Sequence, residues 1–187
     1  MKIKRKGLYQ KKCAYGMGTF TKEFIPANTI ILEEKIHNIP DAKDGEYWYK
    51  LIKHLLKTQK QKFLDLTPHT AHDFDYETLR ENHAKHLPEL SKDEMILYYL
   101  KIKHNIFGFG DHPGILFYGT RINHSCNPNV TYYKRKDHMV FKTTRDIPAE
   151  SEIFDSYIDN TLPRNQRRSI LQDRYMFFCE CEKCKMR

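Results

Sequence analysis

Near the N-terminus, short runs of alternating or β-branched apolar residues are separated by turn-forming residues, which is the pattern of β-strands. Such runs lie at residues 2–9, 19–20 and 29–32. A turn is predicted at residues 15–18, where two glycines stand close together. Asn28 precedes the last run and suits a turn position with positive φ. This part of the chain is therefore predicted to form several short strands.

The pattern changes at residues 44–104, where apolar residues recur at helical spacing. One such face comprises Tyr47, Trp48, Leu51, Ile52, Leu55 and Leu56. Ser91 and Glu94 form a capping box, which predicts the start of a second helix carrying Met95 and Ile102. Residues 67–90 contain scattered prolines and histidines and are predicted to be rich in loops.

Strand patterns return over residues 105–160. Residues 130–133 and 139–142 flank a charged turn at 134–138, which predicts a hairpin. The segment 25–29, Ile-Pro-Ala-Asn-Thr, resembles the segment 147–151, Ile-Pro-Ala-Glu-Ser, and both are predicted to be turns that lead into strands.

A short helix is predicted at residues 163–175, ahead of a cluster of cysteines. The fold class that these patterns predict is mainly β with an α insert. The predicted domain limits are residues 1–160, with the helical insert at about 41–104, and residues 161–187 for the C-terminal helix and cysteines.

Composition narrows the class of protein. With 187 residues, 40% of them hydrophobic and 13% aromatic, the chain can bury one real core and is not typical of a disordered protein. No apolar run is long enough to span a membrane, and the basic N-terminus is not followed by the apolar stretch of a secretory signal. We therefore expect an intracellular protein, in the nucleus or cytoplasm of its own cell or of a host, without a membrane partner.

The net charge of +8 fits either an acidic partner such as a nucleic acid or simply a solvated, lysine-rich surface. No RNA-binding motif or basic recognition helix accompanies the charge, so direct nucleic-acid binding is not favoured.

The cysteines give the sharpest chemical signal. Cys179, Cys181 and Cys184 lie close enough in sequence to bind one metal ion, but a structural zinc site needs four ligands. Cys126, Cys13 or a histidine such as His124 could supply the fourth. Disulfides are improbable for an odd number of cysteines in a reducing compartment.

Two further segments could bind a polar ligand. In the run from Arg121 to Asn129, Asn123 and His124 could hold such a ligand, although Asn-Pro-Asn within it is equally typical of a turn. Gly16 and Gly18 would let the backbone approach a ligand closely, or would simply form a tight turn. The residues alone leave these alternatives open.

Taken together, four segments resemble those of SET-domain lysine methyltransferases, in the family's order. They are the G-x-G at residues 16–18, Asn-His-Ser-Cys-Asn-Pro-Asn at 123–129, Glu-Ile-Phe-Asp-Ser-Tyr at 152–157 and C-x-C-x2-C at 179–184. The resemblance is closest to the SET-and-MYND subclass, although the 187 residues contain neither a MYND finger nor the subclass's C-terminal helical domain.

The resemblance implies an S-adenosylmethionine site, a lysine channel and one structural zinc. Its implied cofactor contacts are Gly16, Met17, Gly18, Asn105, Asn123, His124, Tyr157 and Phe177. Tyr157 would also be the catalytic residue beside the transferring methyl group, and Phe107 and Tyr175 would wall the lysine channel. Its implied zinc ligands are Cys126, Cys179, Cys181 and Cys184. The family pattern contains no acidic base, so the lysine proton is expected to leave to solvent.

The implied fold is a SET domain of short twisted sheets, with a pseudoknot near the C-terminus and a zinc-binding tail. The implied activity is methyl transfer to lysines of histones or other proteins. Glu150 stands where the family usually has glycine, with an expected strain of about 1 kcal/mol, and Tyr15 stands where a basic residue is common. Two other functions remain, an inactive SET domain that acts as a binding module and a nucleic-acid-binding zinc protein.

Overall fold

The computed structural model describes residues 7–13, 16–39, 46–71, 75–108 and 113–185. They divide into two compact units. The strand unit combines Met1–Lys35 with Tyr118–Arg187, and the helical unit is Ile36–Phe117.

The strands are β1 (Leu8–Cys13), β2 (Gly16–Thr21), β3 (Ile30–Lys35), β4 (Ile106–Phe107), β5 (Gly114–Ile115), β6 (Asn123–His124), β7 (Val130–Arg135), β8 (His138–Thr143) and β9 (Phe154–Asp155). The helices are α1 (Tyr47–Thr58), α2 (Lys60–Leu64), α3 (Glu77–His86), α4 (Lys92–Asn105), α5 (Arg164–Tyr175) and α6 (Glu182–Lys185). A 3-10 turn occupies Gly119–Arg121.

The first hairpin of the strand unit pairs β1 with β2, from Leu8 opposite Thr21 to Cys13 opposite Gly16. The turn predicted at residues 15–18 is therefore wrong over residues 16–18, which lie in a strand. The prediction of a turn failed because two glycines close in sequence occur both in chain reversals and in strands that other groups approach closely. Tyr15 lies outside the described residues.

The central sheet of the strand unit has the order β3-β8-β7 and is antiparallel throughout. The hairpin predicted at residues 130–142 is confirmed. Its turn is shorter than the predicted 134–138, because Lys134 and Arg135 still pair with Met139 and His138. Lys136 takes a positive φ of 57° in the two-residue turn that remains, as tight hairpins require.

The two similar segments form matching corners that pair with each other. Ile25 and Ile147 exchange two backbone hydrogen bonds, each 2.8 Å long. The predicted positive φ of Asn28 is confirmed at 61°, and Glu150 at the equivalent position has 58°. Glu150 is therefore a non-glycine residue in the left-handed region, with a strain of about 1 kcal/mol. The Tyr9 hydroxyl donates to the Glu150 carboxylate at 2.7 Å.

The helical unit contains α1 to α4 and the short pair β4-β5. Helix α1 buries Leu51, Ile52 and Leu55 on its predicted apolar face. The predicted capping box at Ser91 and Glu94 is confirmed at the start of α4. Helix α3, in contrast, lies within the stretch predicted to be loops. Only Leu79 and His83 of α3 are buried, so its sequence lacks the apolar stripe by which a helix is recognised.

The C-terminal helix predicted at residues 163–175 is confirmed as α5, with Pro163 at its N-cap. Met176 ends it in the left-handed conformation at φ 61°. Its buried Leu171 packs with Cys126, Cys179 and Cys184 in one apolar cluster of the strand unit. Within the described part of the chain, every helix is too short or too polar to cross a lipid bilayer.

Candidate active site and metal centre

The parallel pairing of β6 with β9 brings two distant sequence motifs together. Asn123 lies opposite Phe154, and His124 lies opposite Asp155. The Asn129 side chain reinforces the junction, since its amide donates to the Glu152 carbonyl at 2.9 Å and its oxygen accepts from the Phe154 N–H at 2.8 Å. Asn129 thus acts as a scaffold residue of the β6–β9 junction.

Asn123 belongs to a polar cluster with Glu152, Cys13 and Gly18. Its amide nitrogen lies 2.8 Å from Glu152 Oε1 and 3.2 Å from Cys13 Sγ. A Cβ at Gly18 would lie 2.4 Å from Glu152 Oε1 and 2.9 Å from Asn123 Nδ2. Glycine is therefore required at position 18, because a larger residue would displace the cluster. Met17 and Gly16 continue from this point along the exposed end of β2.

Sequence reasoning assigned no role to Glu152 or Cys13 in holding Asn123. Cys13 lies 3.6 Å from Glu152 Oε1 and sits at the end of β1. Only the β1–β2 register carries it to Gly16 and Gly18, so the spacing of residues along the chain contains no signal for this contact.

His124 connects the tyrosine motif to the cysteines through both ring nitrogens. Its Nδ1 accepts from the Tyr157 backbone N–H at 3.0 Å, and its Nε2 lies 3.3 Å from Cys126 Sγ. Burial, with a smaller effect of Arg167, lowers the pKa of His124 to about 4. The ring is therefore neutral, and because Nδ1 is an acceptor, Nε2 carries the proton toward the sulfur. The resemblance implied mainly backbone contacts for this residue, whereas its side chain holds two segments in place.

The predicted aromatic residues of the strand unit form one cluster around His124. The Tyr157 ring centroid lies 5.3 Å from that of His124 and 5.0 Å from that of Tyr175, and the Phe177 centroid lies 6.0 Å from His124. The Tyr157 hydroxyl donates to the Ile122 carbonyl at 2.9 Å. Burial is the main cause that raises the pKa of Tyr157 well above its usual value, so this residue is a neutral hydroxyl at physiological pH.

Asn105 and Phe107 lie in the helical unit, at the end of α4 and in β4. The Asn105 amide donates to the Thr67 carbonyl at 2.6 Å and to the Lys101 carbonyl at 2.8 Å. Buried Lys101 in turn donates to the carbonyls of Leu64, Leu66 and Pro68. These contacts fix Asn105 within its own unit, and the roles predicted for Asn105 and Phe107 stay predictions.

Four cysteines converge to form a candidate metal centre. The sulfurs of Cys126, Cys179, Cys181 and Cys184 all lie within 4.8 Å of one another. Cys126 Sγ is 3.5 Å from Cys184 Sγ and 3.9 Å from Cys179 Sγ. Four sulfurs at about 2.3 Å from a tetrahedral zinc stand about 3.8 Å apart. This donor set fits one structural zinc, and Cys13 is not part of it.

The surroundings of the sulfurs also suit a cation. Burial raises the pKa of Cys126 to about 11 and is the main cause that raises the pKa of Cys179. These thiols therefore ionise readily only when a positive charge is near. Arg167, which is 4% exposed, lies with Nη2 3.6 Å from Cys184 Sγ and donates to the Leu162 carbonyl at 2.5 Å. A buried guanidinium would partly offset the negative charge of a four-thiolate site.

The comparisons with known proteins agree with this geometry. Residues 16–158 match the SET domain. The chain is 30% identical over 191 residues to the SET domain-containing protein L678 of Acanthamoeba polyphaga mimivirus, covering 90% of this chain and 73% of that protein. It is 27% identical over 183 residues to the N-lysine methyltransferase SMYD2 of Homo sapiens, covering 90% of this chain and only 40% of that enzyme's length.

A solved structure supports the same fold. Rubisco LSMT bound to sinefungin and monomethyllysine superposes with a TM-score of 0.67 at 12% sequence identity, over 92% of this chain and 52% of that one. With residues 16–158 matched and a relative 30% identical along most of its length, this chain belongs to the SET-domain family.

Proposed function

We propose that the protein is an S-adenosylmethionine-dependent protein-lysine N-methyltransferase. The observation that carries the proposal is the β6–β9 junction, which joins the Asn123–Gly18 cluster to the Tyr157 aromatic cluster through adjacent backbone. Relatives named as lysine methyltransferases, among them SMYD2, support the same reaction.

The residues around Gly18 fit the amino-acid end of the cofactor. The end of β2 exposes backbone at Gly16 and Met17, and the missing side chain of Gly18 lets Glu152 and Asn123 approach the strand closely. Glu152 holds the nitrogen of the Asn123 amide, which leaves the amide oxygen as the group that can accept from an ammonium. The partly buried Phe177 ring beside His124 would offer a face on which an adenine can stack. Met17 and His124 would border the same ligand.

The chain's own residues would then orient the lysine and exclude water. When bound, S-adenosylmethionine supplies an electrophilic methyl group that a lysine nitrogen can take up in one displacement. Tyr157 uses its proton on the Ile122 carbonyl, so its oxygen remains an acceptor for a lysine N–H. An aromatic surrounding from Tyr157 and Tyr175 favours the neutral amine over the ammonium. Alignment in such a site supplies much of the acceleration.

We further propose that one structural zinc is held by Cys126, Cys179, Cys181 and Cys184. It would join the segment after α5 to Cys126, which lies two residues after the end of β6 and against the His124 ring. Because such a site does not exist in the unfolded chain, metal binding would contribute directly to folding. A four-thiolate site requires reducing conditions, which supports an intracellular protein.

The test is transfer of labelled methyl groups from S-adenosylmethionine to core histones and to heat-inactivated cell extract, whose proteins supply histone and other lysines. Tyr157→Phe is expected to lower lysine labelling by ~100-fold, because it removes the hydroxyl oxygen that accepts from the amine and orients it. Asn123→Ala is expected to weaken cofactor binding. Tyr133→Phe, at an exposed tyrosine of β7, is the matched control.

Zinc content is measured on every variant, so that loss of activity is separated from loss of the fold. Wild-type protein that binds the cofactor but labels no lysine in either substrate pool would contradict the proposal and favour the inactive binding module. Steeply salt-dependent binding to DNA or RNA, without methyl transfer, would favour the nucleic-acid-binding alternative.

A further inference from the structure

The Asp155 carboxyl group has no role in the function proposed above. Asp155 is 1% exposed, and neither of its carboxyl oxygens has a hydrogen-bond partner on another described residue. An unpaired carboxylate in such a place is strongly unfavourable, and buried polar groups are nearly always satisfied. We therefore expect the Asp155 carboxyl group to meet a hydrogen-bond donor from a ligand or substrate during function.

The position of Asp155 ties it to the proposed active site. It lies on β9, two residues before Tyr157 and opposite His124 of β6. Its backbone carbonyl accepts from the Ser125 N–H at 2.9 Å. An ionised Asp155 raises the pKa of the hydroxyl of Tyr157 and of two further tyrosines, Tyr132 of β7 and Tyr175 of α5.

The groups that face Asp155 from these elements do not neutralise it. The three tyrosines are neutral hydroxyls. Both ring nitrogens of His124 are engaged elsewhere, Nδ1 by the Tyr157 N–H and Nε2 beside Cys126 Sγ. Glu152 and Cys13 raise the pKa of Tyr157 as Asp155 does, and the exposed Arg174 lowers that of Tyr175. Burial raises the pKa of Asp155 well above its usual value, because the charged form is desolvated, and a carboxylate with a raised pKa is a stronger base than a solvated one.

Of the two reactants, the cofactor's sulfonium and the lysine ammonium, only one can donate a hydrogen bond to Asp155. A sulfonium has no N–H or O–H group and would leave both oxygens unpaired. A lysine ammonium has three N–H donors and a positive charge. We propose that Asp155 binds the ammonium of the target lysine, directly or through one water, and accepts its proton before methyl transfer. This inference rests on the proposed function.

The proton step is balanced within the site. One N–H bond of the ammonium breaks and one O–H bond forms on Asp155, while the electron pair stays on nitrogen as the lone pair that methyl transfer needs. The carboxylate becomes a neutral acid and the ammonium a neutral amine, so neither partner of the proton transfer keeps a charge, and the positive charge of the cofactor's sulfonium is unchanged by this step. After the product leaves, Asp155 returns the proton to solvent.

The experiment compares the pH dependence of methyl transfer into heat-inactivated cell extract for wild type and Asp155→Asn. At pH 7 the variant is expected to be ~100-fold slower, the range of a lost general base. Its rate should rise tenfold per pH unit toward pH 9.5, because the lysine then loses its proton to solvent, whereas the wild-type rate should level off. Asp159→Asn, at an exposed aspartate of the same segment, should behave as wild type.

A second measurement separates this role from a structural one. Removing an unpaired buried carboxyl should stabilise the fold, so Asp155→Val is expected to raise the melting temperature by at least ~2 °C while activity falls. Zinc content and binding of S-adenosylhomocysteine should be unchanged in both variants.

The outcomes of these measurements distinguish failure of the Asp155 inference from failure of the proposed function. An active wild type whose rate and pH profile are shared by Asp155→Asn overturns the inference and leaves the proposed function intact. Loss of activity in Asp155→Asn at every pH, or a fall in the melting temperature of Asp155→Val with loss of zinc, shows a structural residue and also overturns the inference. A wild type that methylates no lysine overturns the proposed function, and with it the role of Asp155.

Discussion

The two chemical clusters of the strand unit differ in how their polar groups are satisfied. Around Asn123, the amide, the Glu152 carboxylate, the Cys13 thiol and the glycine at position 18 already fit one another. Around Cys126, four sulfurs approach each other closely and rely on a cation that the chain supplies only in part, through Arg167. The polar groups of the first cluster satisfy one another, whereas the second would be stabilised by the proposed zinc. Variants of the two should therefore fail differently.

The largest effect is expected for the cysteine cluster. Cys179→Ser, or removal of zinc by a chelator, should abolish most zinc binding and destabilise the protein by several kcal/mol, because metal binding is part of the folding free energy. Metal analysis and thermal unfolding with and without chelator measure both. Cys13→Ser is the matched control and should keep its zinc. Equal zinc loss in the two variants would show that the sulfur set is assigned wrongly.

The next effect is expected at Gly18. Gly18→Ala places a Cβ within 3 Å of Glu152 and Asn123, so the cluster must shift and cofactor binding should weaken by at least ~10-fold, the effect of about 1.4 kcal/mol. Calorimetric titration with S-adenosylhomocysteine measures the affinity, and zinc content should be unchanged. Gly108→Ala, where the added carbon meets nothing within 4 Å, serves as control. Unchanged affinity in Gly18→Ala would remove this edge of β2 from the cofactor site.

A comparable effect, divided between stability and cofactor affinity, is expected at Glu152. Glu152→Ala removes the acceptor of the Asn123 amide, and a buried donor left unpaired costs about 1–3 kcal/mol. Both stability and affinity for S-adenosylhomocysteine should fall, with zinc retained. Glu152→Gln keeps an acceptor oxygen and should recover part of the affinity. If the glutamine variant were as weak as the alanine variant, the charge of Glu152 rather than its hydrogen bond would matter.

The smallest effect is expected at Glu150, outside both clusters. Glu150→Gly should stabilise the fold by about 0.5–1 kcal/mol, because glycine takes a positive φ without strain. Glu150→Ala keeps the strain but loses the Tyr9 hydrogen bond, so it separates the two contributions. Denaturant unfolding measures both variants. A glycine variant less stable than wild type would mean that the bond from Tyr9 outweighs the backbone strain.

Local sequence signals were sufficient for several elements. The hairpin of β7 and β8, the capping box of α4 and the positive φ of Asn28 were all predicted, because each depends on neighbouring residues alone. Helix α3 and the strand that contains Gly16 and Gly18 were missed. Helix α3 has almost no buried face, and strand β2 is defined by its pairing with β1. The local pattern of apolar and polar residues therefore predicts neither element.

The sequence by itself determined the family, through four motifs in a fixed order, and three of the four clustered cysteines, while Cys126 was implied by the family resemblance. Only the tertiary structure decided which groups meet: Glu152 and Cys13 at Asn123, the His124 ring between Tyr157 and Cys126, and Arg167 beside Cys184. These contacts join residues far apart in the chain. Strand register and helix packing set such distances, because the chain must bury its apolar groups and pair its backbone before polar side chains find their partners.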